Sequence, residues 1–378
     1  MTDRPRVILS GFADEAANHK TAVEQFAAFA ALGLQYYSIR FIDVGGGIKN
    51  VMKLSRSEMQ QVRHLQNEYG LNVSSIGSPI GKVKLLDLDD GTKNAYLPFK
   101  RYLARDVKKA CELAHALEAK LIRGFSFYHP KGTDPRDHLP QAVDQLGQMA
   151  EACHRSDLTF GLEVEANLVG QDGYILAEIH RQVNHPAMLL VFDAANVLCQ
   201  GYSPAEVFEQ YRAMRPGLGW LHIKDYRNPE PAANTQRLPG QVDEDALANF
   251  VPADRGDSAH EAILRDFGRV LPALNGNSAA AASPACSWTW SRTSRAEASS
   301  AASAARTAWA WRCGGCAECW TTWASTTTCG ISTTCRRRGA SEGRRLACHW
   351  RDASATHHVS ASRPGVDQAL QLLLPRPV

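Results

Sequence analysis

The sequence predicts an α/β fold over residues 1–276, a (β/α)₈ barrel whose last unit is incomplete. Apolar runs typical of strands alternate there with helical patterns, as a parallel sheet with crossover helices requires. Polar side chains stand where several of these runs end, and the carboxyl ends of barrel strands are where active sites form. A barrel takes about 250 residues, so the 378-residue chain can hold one.

Seven apolar runs are predicted to be strands. They are Val7–Phe12, Gln35–Phe41, Leu71–Gly77, Lys120–Ser126, Leu158–Val164, Met188–Asp193 and Gly219–Ile223. Between them, apolar residues recur at steps of three and four from Leu103 to Leu117, as on one buried helix face. Ser55 and Glu58 have the spacing of a capping box at a helix start. Seven βα units leave an unpaired gap between the first and seventh strands of a barrel.

An open, doubly wound sheet also alternates strands and helices. Such a sheet typically carries G-x-G-x-x-G after its first strand, and the sequence has no such motif there. Gly45–Gly47 lies in a loop that no helix start follows. The polar residues at the strand ends therefore favour the barrel.

Composition divides the chain near residue 276. Residues 1–276 hold 30 Lys+Arg and 34 Asp+Glu, a net charge of −4, whereas residues 277–378 hold 12 Arg and 5 Asp+Glu, a net charge of +7. Seven of the ten cysteines and seven of the eight tryptophans also lie in the second part. We therefore predict a barrel domain over 1–276 and an aberrant, disordered tail over 277–378.

Three side chains that suit a divalent metal end three successive predicted strands. Glu163, Asp193 and His222 are 30 and 29 residues apart, about one strand-plus-helix unit each. Two carboxylates and an imidazole form a donor set that divalent metals bind. A charge that closes an apolar run such as MLLVFD is costly unless it is paired or metal-bound. The structural alternative for Asp193 is helix capping, and for His222 a satisfied core histidine.

Polar neighbours of this trio are candidates for substrate contacts. They are Glu165, Asn196, Lys224, Asp225 and Arg227. Lys224 and Arg227 suit a phosphorylated or polyhydroxylated substrate, and Asp225 is a candidate to orient the His222 imidazole. Weaker candidates at other strand ends are Asp14, Glu15, Arg40 and His129, for which loop solvation is an equal explanation.

Five segments carry a family resemblance: SGFADEAA, YYSIRF, GLEVEANLVG, VFDAANVLCQG and LHIKDYR. Together they resemble the xylose isomerase-like TIM barrels, the sugar phosphate isomerase/epimerase superfamily, over residues 7–275. The resemblance implies one divalent metal, commonly Mn²⁺ or Mg²⁺ with Zn²⁺ or Co²⁺ as alternatives, held by Glu163, Asp193, His222 and a Glu on strand eight. It also implies that Glu163 and that last Glu move a proton at a carbon next to a carbonyl. Some members have His where this chain has Asn196.

The segment from Asn277 to Cys335 lacks both strand and helix periodicity. A disordered linker and a metal cluster begun by Cys313, Cys316 and Cys319 are two interpretations. The favoured one is a coding sequence translated in the wrong frame, because the single Trp codon, TGG, constrains the overlapping triplets. The shifted frame encodes LDLEPHLKGGGQFGG from Ser287 onward, with a Glu at the Trp290–Ser291 junction. Strand eight and its ligand would then be missing, and we expect the chain as written to have little activity.

The sequence therefore predicts a metal-dependent isomerase or epimerase of a sugar, sugar phosphate or polyol. A dehydratase or lyase on the same barrel and a non-catalytic binding protein are the alternatives. An endonuclease IV-like nuclease fits less well, since the barrel part is acidic and nucleic acid is bound by basic surfaces. We expect no nucleic-acid partner, and a homo-oligomer stays open. No signal peptide or apolar span of about 20 residues is seen, so a cytoplasmic protein without a membrane partner is expected.

Overall fold

The computed structural model describes residues 7–228, 249–279 and 287–290. Twelve strands occur in these ranges. They are β1 (Ile8–Gly11), β2 (Tyr36–Ile39), β3 (Phe41–Ile42), β4 (Lys49–Asn50), β5 (Asn72–Ile76), β6 (Leu121–Gly124), β7 (Thr159–Glu163), β8 (Met188–Asp193), β9 (Leu218–Ile223), β10 (Asp225–Tyr226), β11 (Phe250–Val251) and β12 (Ser287–Trp290). All seven strands predicted from apolar runs are confirmed, with ends shifted by two residues or fewer.

Eight of these strands form one parallel sheet that closes into a barrel. Their order is β1, β2, β5, β6, β7, β8, β9 and β12. A bridge from Phe12 to Ser38 joins β1 to β2, and β12 pairs with β9 on one side and β1 on the other. The described residues therefore form an eight-stranded parallel barrel, which confirms the predicted fold class.

The prediction of an unpaired gap between the first and seventh predicted strands is wrong, because a backbone strand fills that position. Ser287–Trp290 occupies that place as a four-residue strand, although it lies in the segment predicted to be disordered. Two strand edges that would otherwise stay unpaired offer hydrogen bonds to any extended segment. These edges explain why four residues from a segment without sustained periodicity pair here. Apart from residues 277–279, which are helical, the rest of the tail lies outside the described residues.

Helices cover the outside of the barrel. They are α1 (Ala22–Ala31), α2 (Arg56–Glu68), α3 (Phe99–Tyr102), α4 (Lys108–Ala116), α5 (Leu139–His154), α6 (Gly173–Val183), α7 (Ala194–Leu198), α8 (Pro204–Met214) and α9 (His260–Ala279). Ser55 and Glu58 form the predicted capping box of α2. A π-helical stretch, Leu103–Val107, joins α3 to α4 within the predicted helix. Among the described helices none is long and apolar enough to cross a bilayer.

Side-chain alternation along β8 and β9 separates the two faces of the sheet. Leu190, Phe192 and Leu221 belong to the main core, which packs the strands against the helices. Val191 and Trp220 belong to a second, smaller buried cluster. Because successive strand residues point to opposite faces, this second cluster lies inside the barrel. Asp193 and His222, which lie two positions further along β8 and β9, face the same interior.

Candidate metal centre

The three predicted ligands meet inside the barrel at the carboxyl ends of their strands. Asp193 follows Val191 by two residues and His222 follows Trp220 by two, so both share the interior face. One ligand atom from each of Glu163, Asp193 and His222 lies within 4.8 Å of the others, and all three residues are buried. Among the described residues, this trio is where metal-capable side chains converge.

The imidazole lies between the two carboxylates. His222 Nδ1 is 3.1 Å from Glu163 Oε1 and 3.5 Å from Asp193 Oδ2. The other ring nitrogen, Nε2, is buried and has no hydrogen-bond partner among the described residues. The ring packs edge-on against Trp220 and Phe12, so its plane is fixed by apolar neighbours.

Asp193 makes the helix cap that was its structural alternative, and its second carboxylate oxygen lies beside the trio. Its Oδ1 accepts a hydrogen bond from the Asn196 amide at 2.9 Å and caps α7. Its Oδ2 faces the site, 3.1 Å from Lys224 Nζ. Helix capping and a site role are therefore compatible, because each uses a different carboxylate oxygen.

Asn196 connects the trio to the polar residues around it. Its Nδ2 lies 3.4 Å from Glu163 Oε1 and from Glu165 Oε2, and 3.1 Å from the Val164 carbonyl. Its Oδ1 accepts a hydrogen bond from Lys224 Nζ at 2.5 Å. The predicted contacts Asn196, Glu165 and Lys224 are thus brought together beside the trio.

Glu165 marks the outer end of this network. Lys82 donates a hydrogen bond to its Oε1 at 2.9 Å, and about a third of each side chain is exposed. Lys82 also lies over the Phe125 ring. The network therefore runs from the buried trio to a surface that a substrate can reach.

Arg123 is a site residue that sequence analysis missed. It lies on β6, two residues after Leu121 of the interior cluster, and its Nη1 donates to Glu163 Oε2 at 2.7 Å. Both side chains are more than nine-tenths buried. The signal available in the sequence was a lone Arg inside the apolar run LIRGF.

Neighbouring charges offset the effect of burial on the ionisable groups. Burial alone would raise the pKa of Glu163, but His222 and Arg123 hold that pKa well below its usual value. Burial would lower the pKa of His222, yet the Glu163 and Asp193 carboxylates raise it. Burial likewise disfavours the Lys224 ammonium, whose pKa Asp193 raises. The buried groups therefore stabilise one another in their charged forms.

The donor set fits a divalent ion. Ligand atoms about 2.1 Å from a metal at right angles lie about 3 Å apart, close to the 3.1 Å and 3.5 Å between His222 Nδ1 and the two carboxylate oxygens, so a metal would take the place of the imidazole proton between them. Two carboxylates supply charge that matches a divalent cation. The trio can hold such an ion through one atom from each side chain.

Asp225 and Arg227 serve a neighbouring loop. The Asp225 carboxylate accepts hydrogen bonds from the backbone amides of Tyr226, Gly256 and Ser258, so its expected bond to the imidazole is not seen. A Cβ at Gly256 would lie 2.2 Å from Asp225 Oδ1, which explains the glycine. Arg227 donates to the Arg255 carbonyl.

The weaker candidates form groups of their own. Arg40 pairs with Asp14 at 2.9 Å and with Glu15 at 2.6 Å. His129 is hydrogen-bonded within its loop, to the Pro130 carbonyl at 3.1 Å. These contacts occupy both residues without joining them to the trio.

The carboxyl end of β12 is the place where the resemblance implies a fourth ligand. Thr289 pairs with His222 in backbone register, and Trp290 pairs with Ile223. The chain therefore has no acidic residue within the described strand. The cysteine cluster that was an alternative interpretation of Cys313, Cys316 and Cys319 lies outside the described residues.

Comparisons with solved structures agree with this architecture. D-Allulose 3-epimerase from Methylomonas sp. matches with a TM-score of 0.51 and 15% identity, over 77% of this chain and 86% of that chain. A probable 3-DHS dehydratase from Bacillus anthracis matches with a TM-score of 0.53 and 12% identity, over 81% and 97%. A xylose isomerase domain protein from Planctomyces limnophilus matches with a TM-score of 0.50 and 16% identity, over 80% and 96%. At these identities the similarity concerns the fold.

Sequence comparison identifies the family. A search of curated protein sequences finds no match. The family model described as xylose isomerase-like TIM barrel matches residues 26–270, more than half of the chain. The protein belongs to the xylose isomerase-like TIM barrel family.

Proposed function

We propose that this barrel is a metal-dependent isomerase or epimerase that moves a proton at a carbon next to a carbonyl of a sugar, sugar phosphate or polyol. The observation that carries the proposal is the buried Glu163, Asp193 and His222 trio at the carboxyl ends of three adjacent strands. Family membership supports an enzyme of this superfamily. Substrates that neighbours of similar fold bind, such as D-allulose, motivate the choice of sugars.

Mn²⁺ or Mg²⁺ is the proposed ion, with Zn²⁺ and Co²⁺ as alternatives, because carboxylates predominate in the donor set. When bound, a divalent ion polarises the oxygens of a substrate carbonyl and its neighbouring hydroxyl. Glu163 and Asp193 would each hold it through one oxygen, and His222 through a ring nitrogen.

Glu163 is the proposed acid/base. It is one of the proposed metal ligands, and its carboxylate lies closer to His222 Nδ1 than that of Asp193 does. Lys224, Asn196 and Glu165 are proposed to contact substrate hydroxyls at the outer side of the trio. Arg40, His129, Asp225 and Arg227 stay proposals for contacts further out.

A dehydratase or lyase is the second candidate. Lys224 motivates it, because its buried ammonium beside Asp193 and Asn196 would stabilise the negative charge of a leaving hydroxyl by hydrogen bonding. A probable dehydratase shares the fold. Formation of an unsaturated product, rather than an epimer, would identify this activity.

The shifted reading frame also stays a proposal. The described β12 has no acidic residue to act with Glu163, so we expect slow turnover by the chain as written. A frame-restored gene, made by changing the reading frame before codon 287, should encode a Glu near the end of this strand. We further propose a cytoplasmic enzyme without a nucleic-acid partner.

Proton exchange with solvent tests the function directly. The chain and its frame-restored version are incubated with Mn²⁺ and a panel of ketohexoses, ketohexose phosphates and inositol-type ketones in D₂O. We expect deuterium to enter the carbon next to the carbonyl, faster with the restored version. Equal rates would contradict the proposed frame change. Absence of exchange and of metal binding in both would contradict the function.

A further inference from the structure

We propose that Arg123 is a positioning residue for the metal centre, which holds Glu163 in the orientation that presents Oε1 to the other ligands. The inference rests on the proposed function, since it assumes that the trio binds a metal. It adds a residue that neither the motif pattern nor the ligand set identifies.

The two residues lie on neighbouring strands of the barrel. Arg123 of β6 pairs in register with Gly161 of β7, so Glu163 stands two residues beyond it on the same face. The Nη1–Oε2 distance of 2.7 Å is that of a charge-assisted hydrogen bond, which is stronger than a neutral one. Burial of both partners keeps the bond from exchanging with water.

Two aromatic rings fix the guanidinium. Its Cζ lies 4.6 Å from the centre of the Phe125 ring and 5.2 Å from that of Phe12. Ser78 donates a hydrogen bond to the Arg123 carbonyl and anchors the strand end. The Arg123 Nε has no partner among the described residues. The rings and the Glu163 contact therefore set the position of the charge.

Each oxygen of Glu163 has its own partners as a result. Oε2 faces Arg123, whereas Oε1 faces His222 Nδ1 at 3.1 Å and Asn196 Nδ2 at 3.4 Å. Without the guanidinium, the carboxylate can rotate and offer both oxygens to one ion. We therefore expect the loss of Arg123 to alter the coordination geometry as well as the affinity.

The experiment compares the full chain with R123M, R123K and R215M. Arg215 pairs with Asp266 at 3.0 Å. R215M therefore removes a partly buried ion pair that is not part of the trio. Co²⁺ is the spectroscopic probe, and Mn²⁺ binding is measured by electron paramagnetic resonance. We expect R123M to bind Mn²⁺ about 10–100-fold more weakly, the range for residues that support ligands, with a changed Co²⁺ absorption spectrum.

The conservative variant separates positioning from folding. R123K keeps the cation and should restore the Co²⁺ spectrum with affinity within about tenfold of the parent, while R215M should leave both unchanged. A folded R123M with parental spectrum and affinity would overturn the inference. If R123M does not fold, R123Q replaces it: it removes the guanidinium but keeps a polar side chain, and an unchanged spectrum would again contradict the role of Arg123. Failure of both the parent chain and its frame-restored version to bind either ion would overturn the proposed function itself, and this inference with it.

Discussion

Two groups of buried charges lie at the carboxyl ends of the strands, and they differ in the side chains that pair with their carboxylates. Beyond the ends of β1 and β2, Asp14 and Glu15 are neutralised by Arg40, and Lys20 adds a second contact to Asp14 at 3.1 Å. Each group keeps one buried atom without a hydrogen-bond partner among the described residues, Asp14 Oδ1 in the first and His222 Nε2 in the trio. The first group pairs its carboxylates with Arg and Lys, whereas the trio places between its carboxylates an imidazole, which binds metals when neutral. We call them the Arg40 cluster and the trio.

Buried charged groups with shifted pKa values therefore do not by themselves indicate a functional site. Structural ion pairs also alter pKa values, and burial of the Arg40 guanidinium is offset by Glu15 and Asp14, which raise its pKa. What distinguishes the trio is its donor set, which contains a histidine between two carboxylates. The following experiments test whether this division is real.

The largest effect on stability is expected in the Arg40 cluster. R40M leaves Asp14 buried with Lys20 as its remaining cation, and loss of one partner from a buried pair costs about 3 kcal/mol at the low end of the usual range. Urea unfolding measures the loss. Metal affinity should stay at the parental level. A stability change under about 0.5 kcal/mol, the size of a surface substitution, would show that the cluster is not structural.

The largest effect on metal binding is expected in the trio. E163Q removes one charged ligand, so Mn²⁺ affinity should fall about 100-fold or more, beyond the usual effect of supporting residues. The stabilisation that saturating Mn²⁺ gives to the parent should fall with it. D14N, which neutralises an equally buried acid of the Arg40 cluster, is the matched control. Equal losses of affinity in E163Q and D14N would erase the distinction between the two groups.

Phe12 provides an intermediate case, because its ring touches both groups. The ring centre lies 4.7 Å from Arg40 Cζ and 5.6 Å from the centre of the His222 ring. F12L should cost about 1–2 kcal/mol from the cavity and the lost cation–π contact. It should weaken Mn²⁺ binding less than E163Q does. The double variant F12L/R40M measures the coupling of Phe12 to the Arg40 cluster in unfolding free energy, and F12L/E163Q measures its coupling to the trio in Mn²⁺ affinity. Strict additivity in both would show that the ring links neither group.

The smallest expected effect is on the pH dependence of stability, and it comes from His180, which lies outside both groups. Burial lowers the pKa of His180, and its bond to the Met188 carbonyl only partly opposes this. The folded state therefore prefers the neutral ring. Its contribution to stability is complete above the unfolded pKa of 6.5 and is lost as pH falls through the folded pKa.

H180Q should consequently flatten the fall in unfolding free energy below pH 6.5. Urea unfolding between pH 7 and pH 5 gives the profile. H64Q, which alters an exposed histidine on α2, is the control and should retain the parental slope. A steeper acid slope in H180Q would contradict the sign of the shift.

Much of the fold could be predicted from sequence because strand and helix periodicities are local. The seven apolar runs became strands, and the Ser55–Glu58 capping box formed as its spacing predicts. The eighth strand could not be predicted in this way. Ser287–Trp290 is too short a stretch to stand out in a segment without sustained periodicity, and its pairing with β1 and β9 depends on the two edges that the rest of the barrel presents.

The candidate site was predicted in part for the same reason. Glu163, Asp193 and His222 were recognisable because each closes an apolar run, and their convergence follows from the geometry of parallel strands. Arg123 was not recognisable, since its partner lies 40 residues away on the neighbouring strand. Asp225 looked like a partner of the imidazole because it is near in sequence, yet the backbone amides of a later loop bind it instead.

The sequence by itself determined the alternation of strands and helices, the identity of the three metal-capable residues and their place at strand ends. These follow from side-chain polarity and from spacing along one chain. Tertiary structure decided which charges pair, which oxygen of each carboxylate faces the site, and that a backbone strand fills the eighth position. Such contacts join residues distant in sequence, and their geometry is set by barrel closure and by the mutual compensation of buried charges.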